Sequence, residues 1–285
     1  MTDQSNSPKH GALASPTPPP GVNADWTVPQ KWDELTAVDH QVWDTLFARQ
    51  RDLLHGKATA SFEEGLDVLS LSHPGVPDLE ELNERLHKRS NWTVVSVPGV
   101  VPDDVFFRHL SERRFPAGNF IRKLDQLDYL EEPDVFHDVF GHVPMLAQPE
   151  VADFMQALGH LGLEALAHGS LDRLARLYWY TVEFGLCRED GDLKIYGAGI
   201  LSSFGEAHYS LESDVPKRFG FDLKRVLRTR YRTDAFQQNY FVIDRFSDVL
   251  DLVQRNDLPA IYAALDGMPE IAAGDVDPAD RLLAA

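Results

Sequence analysis

The sequence predicts a mostly α-helical protein with a few short β-strands, an α+β fold built as a single compact domain. Apolar residues recur at helical spacing in several long stretches, whereas the stretches that alternate as strands do are short. The chain has 285 residues, of which 43% are hydrophobic, so it can bury a large core. No internal repeat is visible, and no linker follows residue 25.

Composition divides the chain into three segments. Residues 1–24 are rich in Ser, Pro, Asn and Gly, so burial cannot offset the entropy of ordering them, and they are predicted to be disordered. Residues 25–266 carry the helix and strand patterns and form the predicted domain. Residues 267–285 are predicted to be a loosely attached tail.

The first half of the domain is predicted to hold several helices and one strand. Thr36 is a good N-cap with Asp39 three positions later, and the apolar residues that follow form one helical face as far as Leu54. Residues 92–97 alternate and are rich in β-branched side chains, which predicts a strand. The other helices expected here are 59–70, 79–90 and a short helix from Asp103.

The second half continues with two long predicted helices. Pro149 opens a helix that is expected to run to about 168 and to be interrupted near Gly159 and Gly162. A largely buried helix is predicted from Leu171 to about Cys187. The remaining predicted elements are a strand over 193–196, a small-residue turn over 197–203, a helix over 221–228, a strand over 240–244, and helices over 247–255 and 259–266.

Charge and cysteine content exclude several classes of protein. The chain has 45 acidic and 27 basic residues and a net charge of −18, so nucleic acid and anionic membranes are poor partners. Seven Lys and Arg within 217–232 are interpreted as a solvated helical face. The single cysteine, Cys187, excludes an internal disulfide framework and a zinc ribbon. No signal peptide or membrane-spanning run is visible, which predicts a soluble, cytoplasmic protein.

Two histidines stand five positions apart in a mostly apolar segment, His137 and His142. Imidazole binds iron, zinc, copper and nickel, so the pair is a candidate metal site. On a straight α-helix this spacing turns the two rings apart, because residues three or four positions apart share a face. The pair can therefore share an ion only if the helix bends or ends at His142, as Gly141 and Pro144 would allow.

Glu183 is the candidate third ligand because it interrupts an otherwise apolar predicted helix. A buried carboxylate is costly unless it is paired, protonated or bound to a metal. Two neutral imidazoles and one carboxylate suit Fe(II) with open positions for O2 and a co-substrate. The same ligand set also holds catalytic zinc, so the residues alone do not select the metal.

Three motifs occur in order in this sequence: Glu-Pro-Asp-x-x-His-Asp-x-x-Gly-His-Val-Pro over 132–144, Tyr-Trp-Tyr-Thr-Val-Glu-Phe-Gly-Leu over 178–186, and Tyr-Gly-Ala-Gly-Ile-Leu-Ser-Ser over 196–203. Together they resemble the signatures of the pterin-dependent aromatic amino acid hydroxylases. The resemblance covers roughly residues 25 to 265 and is nearest to the short bacterial phenylalanine 4-monooxygenases.

The resemblance implies a catalytic domain of the aromatic amino acid hydroxylase type. It implies non-haem Fe(II) bound by His137, His142 and Glu183, and a tetrahydropterin cofactor (tetrahydrobiopterin or a related compound). The implied reaction is the O2-dependent para-hydroxylation of L-phenylalanine to L-tyrosine, as in phenylalanine catabolism. Because the resemblance is to short forms without a tetramerisation segment, a monomer is expected.

The resemblance also implies roles for further residues. Arg122 would pair with the substrate carboxylate, a task that suits a planar bidentate fork. Ring and backbone of the amino acid would be held by a set of four residues: Pro133, Trp179, Gly199 and Ser202. The pterin would be held by the backbone of 97–101, by a stacking aromatic and by two polar residues nearby, which gives the set Val97, Gly99, Val101, Phe106, Asp138 and Tyr178.

Two departures from the family and two rival readings accompany this hypothesis. Asp138 replaces a longer glutamate, and Leu130 replaces a threonine that helps to orient the substrate.

One rival is a metal hydrolase, since the doublet His137-Asp138 is also found in phosphohydrolases. The other is a non-enzymatic binding module that is stabilised by a metal and recruits partners through its Pro-rich segment.

Overall fold

Helices surround two small sheets in the computed structural model, which describes residues 17–128 and 132–283. The helices of these ranges are α1 (Ala37–Leu54), α2 (Ala60–Val68), α3 (Leu79–Ser90), α4 (Asp103–Ser111), α5 (Val143–Leu146), α6 (Pro149–Ala167), α7 (Leu171–Tyr178), α8 (Ala198–Leu201), α9 (Phe204–Glu212), α10 (Leu223–Arg228), α11 (Phe246–Arg255) and α12 (Leu258–Ala264). The strands are β1 (Thr93–Val97), β2 (Arg114–Gly118), β3 (Gly185–Glu189), β4 (Asp192–Ile195), β5 (Lys217–Gly220) and β6 (Asn239–Ile243). The predicted α+β class is therefore confirmed.

The two sheets differ in size and connection. Strands β1 and β2 pair in parallel, and α4 connects them as a crossover helix. The larger sheet has the order β4-β3-β6-β5, in which only the β3-β4 pair is antiparallel. Strand β2 was not predicted, because its partner β1 is remote and Pro116 within it argues against a strand.

Side-chain caps begin helices α1 and α3, and buried aromatic rings fill the core that the helices enclose. The Thr36 side chain accepts from the Asp39 backbone N–H and the Asp39 carboxylate accepts from that of Thr36, a complete capping box at α1. Asp78 caps α3 through the Glu80 N–H. The core that these helices enclose contains fully buried large rings, which include Trp43, Phe62, Phe136, Phe140 and Tyr180.

Helix α6 is continuous, so its predicted interruption near two glycines is wrong. A Cβ at Gly159 would lie 2.2 Å from the Ser111 nitrogen, and one at Gly162 would lie 2.1 Å from the Phe107 ring. The glycines therefore let α6 pack closely against α4, which outweighs their low helix propensity.

The helix predicted over 171–187 ends earlier than expected. Regular α-helix stops at Tyr178, a π-helical turn covers Trp179–Glu183, and Cys187 lies in strand β3. Since β3 pairs with β6, a segment more than fifty positions away in the chain, local periodicity could not predict it. The predicted small-residue turn contains a short helix, α8.

The segment after residue 266 is tied to the domain, contrary to the predicted loose attachment. Asp280 forms a buried ion pair with Arg225 at 2.7 Å. The Ile271 N–H donates to the Arg228 carbonyl, and the Ile271 carbonyl accepts from the Arg230 N–H. Local composition did not reveal these long-range partners. Since Arg225 is buried, the basic segment 217–232 is also not simply a solvated face.

Parts of two predictions fall outside the described residues. Residues 1–16 of the predicted disordered segment and Leu130 are among them. Within 17–24, the Val22 N–H donates to the Pro19 carbonyl in a turn. Within the described ranges, no helix combines the length and the apolar character that crossing a membrane would require.

Candidate metal centre and adjoining cavities

A π-helical turn over Phe136–His142 solves the spacing problem of the two histidines. In a π-helix the backbone hydrogen bonds run from i to i+5 and the turn is wider than in an α-helix, so residues five positions apart come closer to the same side. The Nε2 atoms of His137 and His142 are 3.3 Å apart. The condition set by the sequence, that the helix be irregular at His142, is met by this turn.

Glu183 joins the two histidines from the second π-helical turn. Its carboxylate oxygens lie 3.2 Å from His142 Nε2 and 3.7 Å from His137 Nε2. An ion about 2.1 Å from each of three ligands would separate them by about 3 to 3.5 Å, depending on its geometry. The three side chains therefore fit a metal ion, and among the described residues they are the group with such an arrangement.

The Ser202 hydroxyl determines which nitrogen of His137 faces the centre. Its oxygen is 2.8 Å from the Ala198 carbonyl, to which it donates, and 2.8 Å from His137 Nδ1. A hydroxyl has one proton to donate, so it must accept from Nδ1–H. The proton of the neutral imidazole is then on Nδ1, and the Nε2 lone pair is free for a metal.

Burial and neighbouring charges keep His137 and Glu183 in the forms that bind metal. Burial lowers the pKa of His137 to about 4, although the Glu183 charge opposes this. Burial would raise the pKa of Glu183, but the charge and hydrogen bond of His142 outweigh it and hold that pKa below its ordinary value. Neutral imidazole and ionised carboxylate are the ligand forms.

The second π-helical turn also joins Glu183 to Tyr178, again five positions apart. The Phe184 N–H donates to the Trp179 carbonyl at 2.8 Å, which is the i to i+5 bond of this turn. Tyr178 is a side-chain hydrogen-bond partner of Glu183. Burial, with the Glu183 charge, raises the pKa of Tyr178 well above its ordinary value, so its hydroxyl stays a donor.

A larger cavity of about 630 Å³ opens beside the metal centre. It is lined by His137 and Glu183 and by every residue for which the resemblance implies contact with the amino acid: Arg122, Pro133, Trp179, Gly199 and Ser202. The Arg122 fork is held by Asp134, with Nε to Oδ2 at 2.9 Å and Nη2 to Oδ1 at 2.8 Å. The described residues give the third guanidinium nitrogen, Nη1, no hydrogen-bond partner.

Asp134 is the residue that fixes this arginine. Its side chain is fully buried, and it also accepts from the backbone N–H groups of Arg122 and His137. Burial would raise the pKa of Asp134, but the hydrogen bonds and charge of Arg122 outweigh it and lower that pKa. Asp134 stands within the first motif, and its role was not predicted, although an acid three positions before a ligand histidine was the available signal.

A smaller cavity of about 290 Å³ is lined by Asp138 of the first π-helical turn and Trp179 of the second. Its lining includes all six residues that the resemblance assigns to the pterin: Val97, Gly99, Val101, Phe106, Asp138 and Tyr178. The Asp138 carboxyl accepts from the Gly118 N–H at 2.8 Å, and burial raises its pKa to about 7. A largely apolar cavity with an aromatic wall and the carboxyls of Asp103 and Asp138 fits a flat heterocycle that carries N–H donors.

Pro133 and Trp179 line both cavities. Other wall residues were not predicted, among them Phe184 and Glu206 in the larger cavity and Tyr231 in the smaller one. Tyr231 stacks on Trp179 with ring centroids 4.3 Å apart and an 18° angle between the planes. These residues lie outside the signature positions that were assigned roles, and only the folded chain brings Glu206 and Tyr231 to the cavities.

Most of this chain, including the residues of the metal centre and both cavities, is similar to known proteins. A family model described as biopterin-dependent aromatic amino acid hydroxylase matches residues 28–257. Phenylalanine-4-hydroxylase of Caulobacter vibrioides is 54% identical over 93% of this chain and 90% of its own length. The corresponding Ralstonia nicotianae protein is 53% identical over 93% and 84%.

A solved structure gives the same result in three dimensions. The iron- and phenylalanine-bound crystal structure of phenylalanine hydroxylase from Chromobacterium violaceum superposes with a TM-score of 0.87. The two chains are 48% identical, and the match covers 92% of this chain and 96% of the other.

Proposed function

This chain belongs to the biopterin-dependent aromatic amino acid hydroxylases, and on that premise we propose which of its residues carry out the reaction. The chain hydroxylates the para carbon of L-phenylalanine to give L-tyrosine, with O2, a tetrahydropterin and iron as the other participants. The rival readings as a metal hydrolase and as a non-enzymatic binding module are therefore wrong.

The observation that carries the assignment of roles is the convergence of His137, His142 and Glu183 beside the larger cavity. These three side chains would hold iron on one face and leave positions open for O2. When bound, iron and tetrahydropterin together supply the electrons that activate O2 for attack on the ring. Ser202 keeps the His137 imidazole in the tautomer that binds metal.

Arg122 is proposed to bind the carboxylate of phenylalanine through the part of its guanidinium that Asp134 leaves unpaired. Because Asp134 holds Nε and Nη2 in a fixed plane, the fork loses little entropy when the substrate binds. Anchoring the carboxylate at Arg122 directs the ring toward the metal centre, between Pro133 and Trp179.

The smaller cavity is proposed to hold the tetrahydropterin. Phe106 and Tyr178 would supply its aromatic contacts, because both rings line the cavity and lie 5.6 Å apart in an edge-on arrangement. The Asp138 carboxyl is placed to accept from ring N–H groups, and the backbone of 97–101 would bind the polar edge. Apolar walls on both cavities exclude water from the reacting atoms.

Product analysis tests the proposal. The iron-loaded protein is incubated with O2, a tetrahydropterin and phenylalanine, tyrosine or tryptophan in turn, and the products are separated by chromatography. Phenylalanine is expected to give tyrosine only when iron and pterin are both present. Absence of tyrosine under these conditions would contradict the proposed function.

A pair of arginine variants tests the role of Arg122. Arg122→Lys keeps the charge but loses the fork, so KM for phenylalanine is expected to rise at least about tenfold, which corresponds to about 1.4 kcal/mol. Arg232→Lys is the matched control, because Arg232 lines the same cavity and is paired with an aspartate in the same way, but it has no proposed role in binding the substrate. A similar KM for the two variants would contradict the assignment.

Three finer properties are part of the proposal, and two of them are tested separately. The enzyme is proposed to act in phenylalanine catabolism, in the cytoplasm and as a monomer. Light scattering of the purified protein measures the oligomeric state, and a mass of twice 32.1 kDa or more would contradict the monomer. Growth of a deletion strain on phenylalanine tests the catabolic role.

A further inference from the structure

Three aromatic rings form a continuous wall between the two cavities. Trp179 lies between Tyr231, with centroids 4.3 Å apart, and Phe184, with centroids 5.0 Å apart. Tyr231 lines the smaller cavity, Phe184 lines the larger one, and Trp179 lines both. We call these three residues the aromatic partition.

Trp179 has no polar anchor among the described residues. Its indole nitrogen is buried and has no hydrogen-bond partner there, so ring contacts orient the indole. The contact with Tyr231 is the closer and the more parallel of the two, with an 18° angle between planes against 34° for Phe184. The orientation of Trp179 therefore depends chiefly on Tyr231.

The backbone around Tyr231 is fixed at both ends. The Arg230 carbonyl accepts from the Tyr180 hydroxyl at 2.7 Å, and the Arg230 N–H donates to Ile271. The segment that follows Tyr231 lines the larger cavity as far as Gln237, whose N–H donates to the buried Glu206 at 2.9 Å. The Tyr231 ring therefore acts on the larger cavity through its contact with Trp179 and not through this anchored backbone.

We propose that Tyr231 is a positioning residue that couples the two cavities. It holds Trp179 in the partition so that tetrahydropterin in the smaller cavity strengthens the binding of phenylalanine in the larger one. This inference rests on the proposed function.

The physical basis is the shared wall. An indole without a hydrogen bond is free to tilt, and the first ligand to bind restricts that motion. The second ligand then meets a wall that is already ordered, so its own binding costs less entropy. Because linkage is reciprocal, phenylalanine must strengthen pterin binding by the same factor. A smaller side chain at position 231 would remove the stacked ring through which a ligand in the smaller cavity restricts Trp179, and the coupling would be lost.

Binding to the iron(II) enzyme without O2 tests the coupling directly, because no turnover then occurs. The Kd of phenylalanine is measured by calorimetry with and without saturating tetrahydrobiopterin. For the wild-type enzyme we expect pterin to tighten phenylalanine binding at least about fivefold. We expect Tyr231→Phe to keep at least half of that factor and Tyr231→Leu to reduce it to less than about twofold.

Two further measurements separate coupling from a general loss of structure. Tyr231→Met, with an unbranched side chain of intermediate size, is expected to lose the coupling as Tyr231→Leu does, even if the leucine variant folds poorly. The amount of tyrosine formed per pterin oxidised is expected to fall in the Leu and Met variants and not in Tyr231→Phe.

The outcomes of these experiments are distinct. Wild-type enzyme that forms tyrosine but shows no coupling of the two Kd values would overturn the role of Tyr231. Full coupling in folded Tyr231→Leu or Tyr231→Met would do the same. Wild-type enzyme that forms no tyrosine would instead count against the proposed function.

Discussion

Replacing Glu206 by glutamine is expected to stabilise the protein in a pH-dependent way. Glu206 is buried in the wall of the larger cavity. Burial raises its pKa to about 7, even though the Gln237 N–H and the Tyr240 hydroxyl both donate to Oε1 and favour the charged form. Between pH 4.5 and 7 the folded protein therefore holds a proton that the unfolded chain has lost.

The sign and the size follow from proton linkage. The contribution of Glu206 to stability is fully present below pH 4.5, its ordinary pKa, and is lost as the pH rises through about 7. The two pKa values differ by about 2.5, and one pKa unit corresponds to about 1.4 kcal/mol, so the loss approaches about 3.5 kcal/mol above pH 8. Glutamine does not titrate, so Glu206→Gln escapes this loss.

Urea unfolding of wild-type protein and Glu206→Gln at pH 5, 6, 7 and 8 measures the effect. The free energy of unfolding of the variant minus that of the wild type is expected to rise by about 2.5 kcal/mol from pH 5 to pH 8. The glutamine amide brings an N–H group whose burial costs the same free energy at every pH, so this cost cancels in the change from pH 5 to pH 8. Tyr240→Phe removes a donor to the carboxylate, so the loss is expected at higher pH in that variant. A difference that varied by less than about 0.5 kcal/mol across the range would show that Glu206 does not hold this proton.

Three other variants probe the metal centre, the helix packing and the tail. Glu183→Gln removes the charge of a ligand, so iron content and tyrosine formation are expected to fall to less than about 1% of wild type, a loss of at least about 2.7 kcal/mol; normal turnover with normal iron content would contradict that role. Gly159→Ala is expected to lower the free energy of unfolding in urea by about 1 to 3 kcal/mol, because the new Cβ would lie 2.2 Å from the backbone of α4. His160→Ala, on the exposed face of α6, is the control. Equal effects of the two substitutions would rule out close packing as the cause. Arg225→Met leaves the buried Asp280 carboxylate without its ion pair and is expected to lower the free energy of unfolding by about 3 to 5 kcal/mol. Arg255→Met removes an exposed ion pair and is expected to lower it by less than about 1 kcal/mol. Similar values for the two variants would count against a tightly held tail.

Local sequence predicted the elements whose causes are local. The capping box at Thr36, the cap at Asp78 and the alternation in β1 each act within a few residues, and those elements begin and end close to the expected positions. The metal ligands were recognised because residue type limits the chemistry. A carboxylate in an apolar helix needs a proton, a cation or a metal, and two nearby histidines favour the metal.

What the sequence did not predict depends on partners far along the chain. Strands β3 and β5 were missed because each pairs with β6, which is distant in the chain. The attachment of the tail was missed because its partners are the residues before Tyr231. The two π-helical turns were missed for another reason. Their residues have ordinary helical periodicity, and the extra residue in each turn is stabilised by the tertiary contacts of the site.

The buried pair between Arg225 and Asp280 has a consequence for how the protein is made. These residues are 55 positions apart, which at cellular rates of synthesis is a delay of about 3 to 11 s. During that interval a nascent chain has delivered α10 and β5 but not the carboxylate that neutralises the arginine or the segment that covers the sheet edge. Arg225 must therefore stay hydrated, and the wall that carries Tyr231 can settle only after residues 267–283 have emerged from the ribosome.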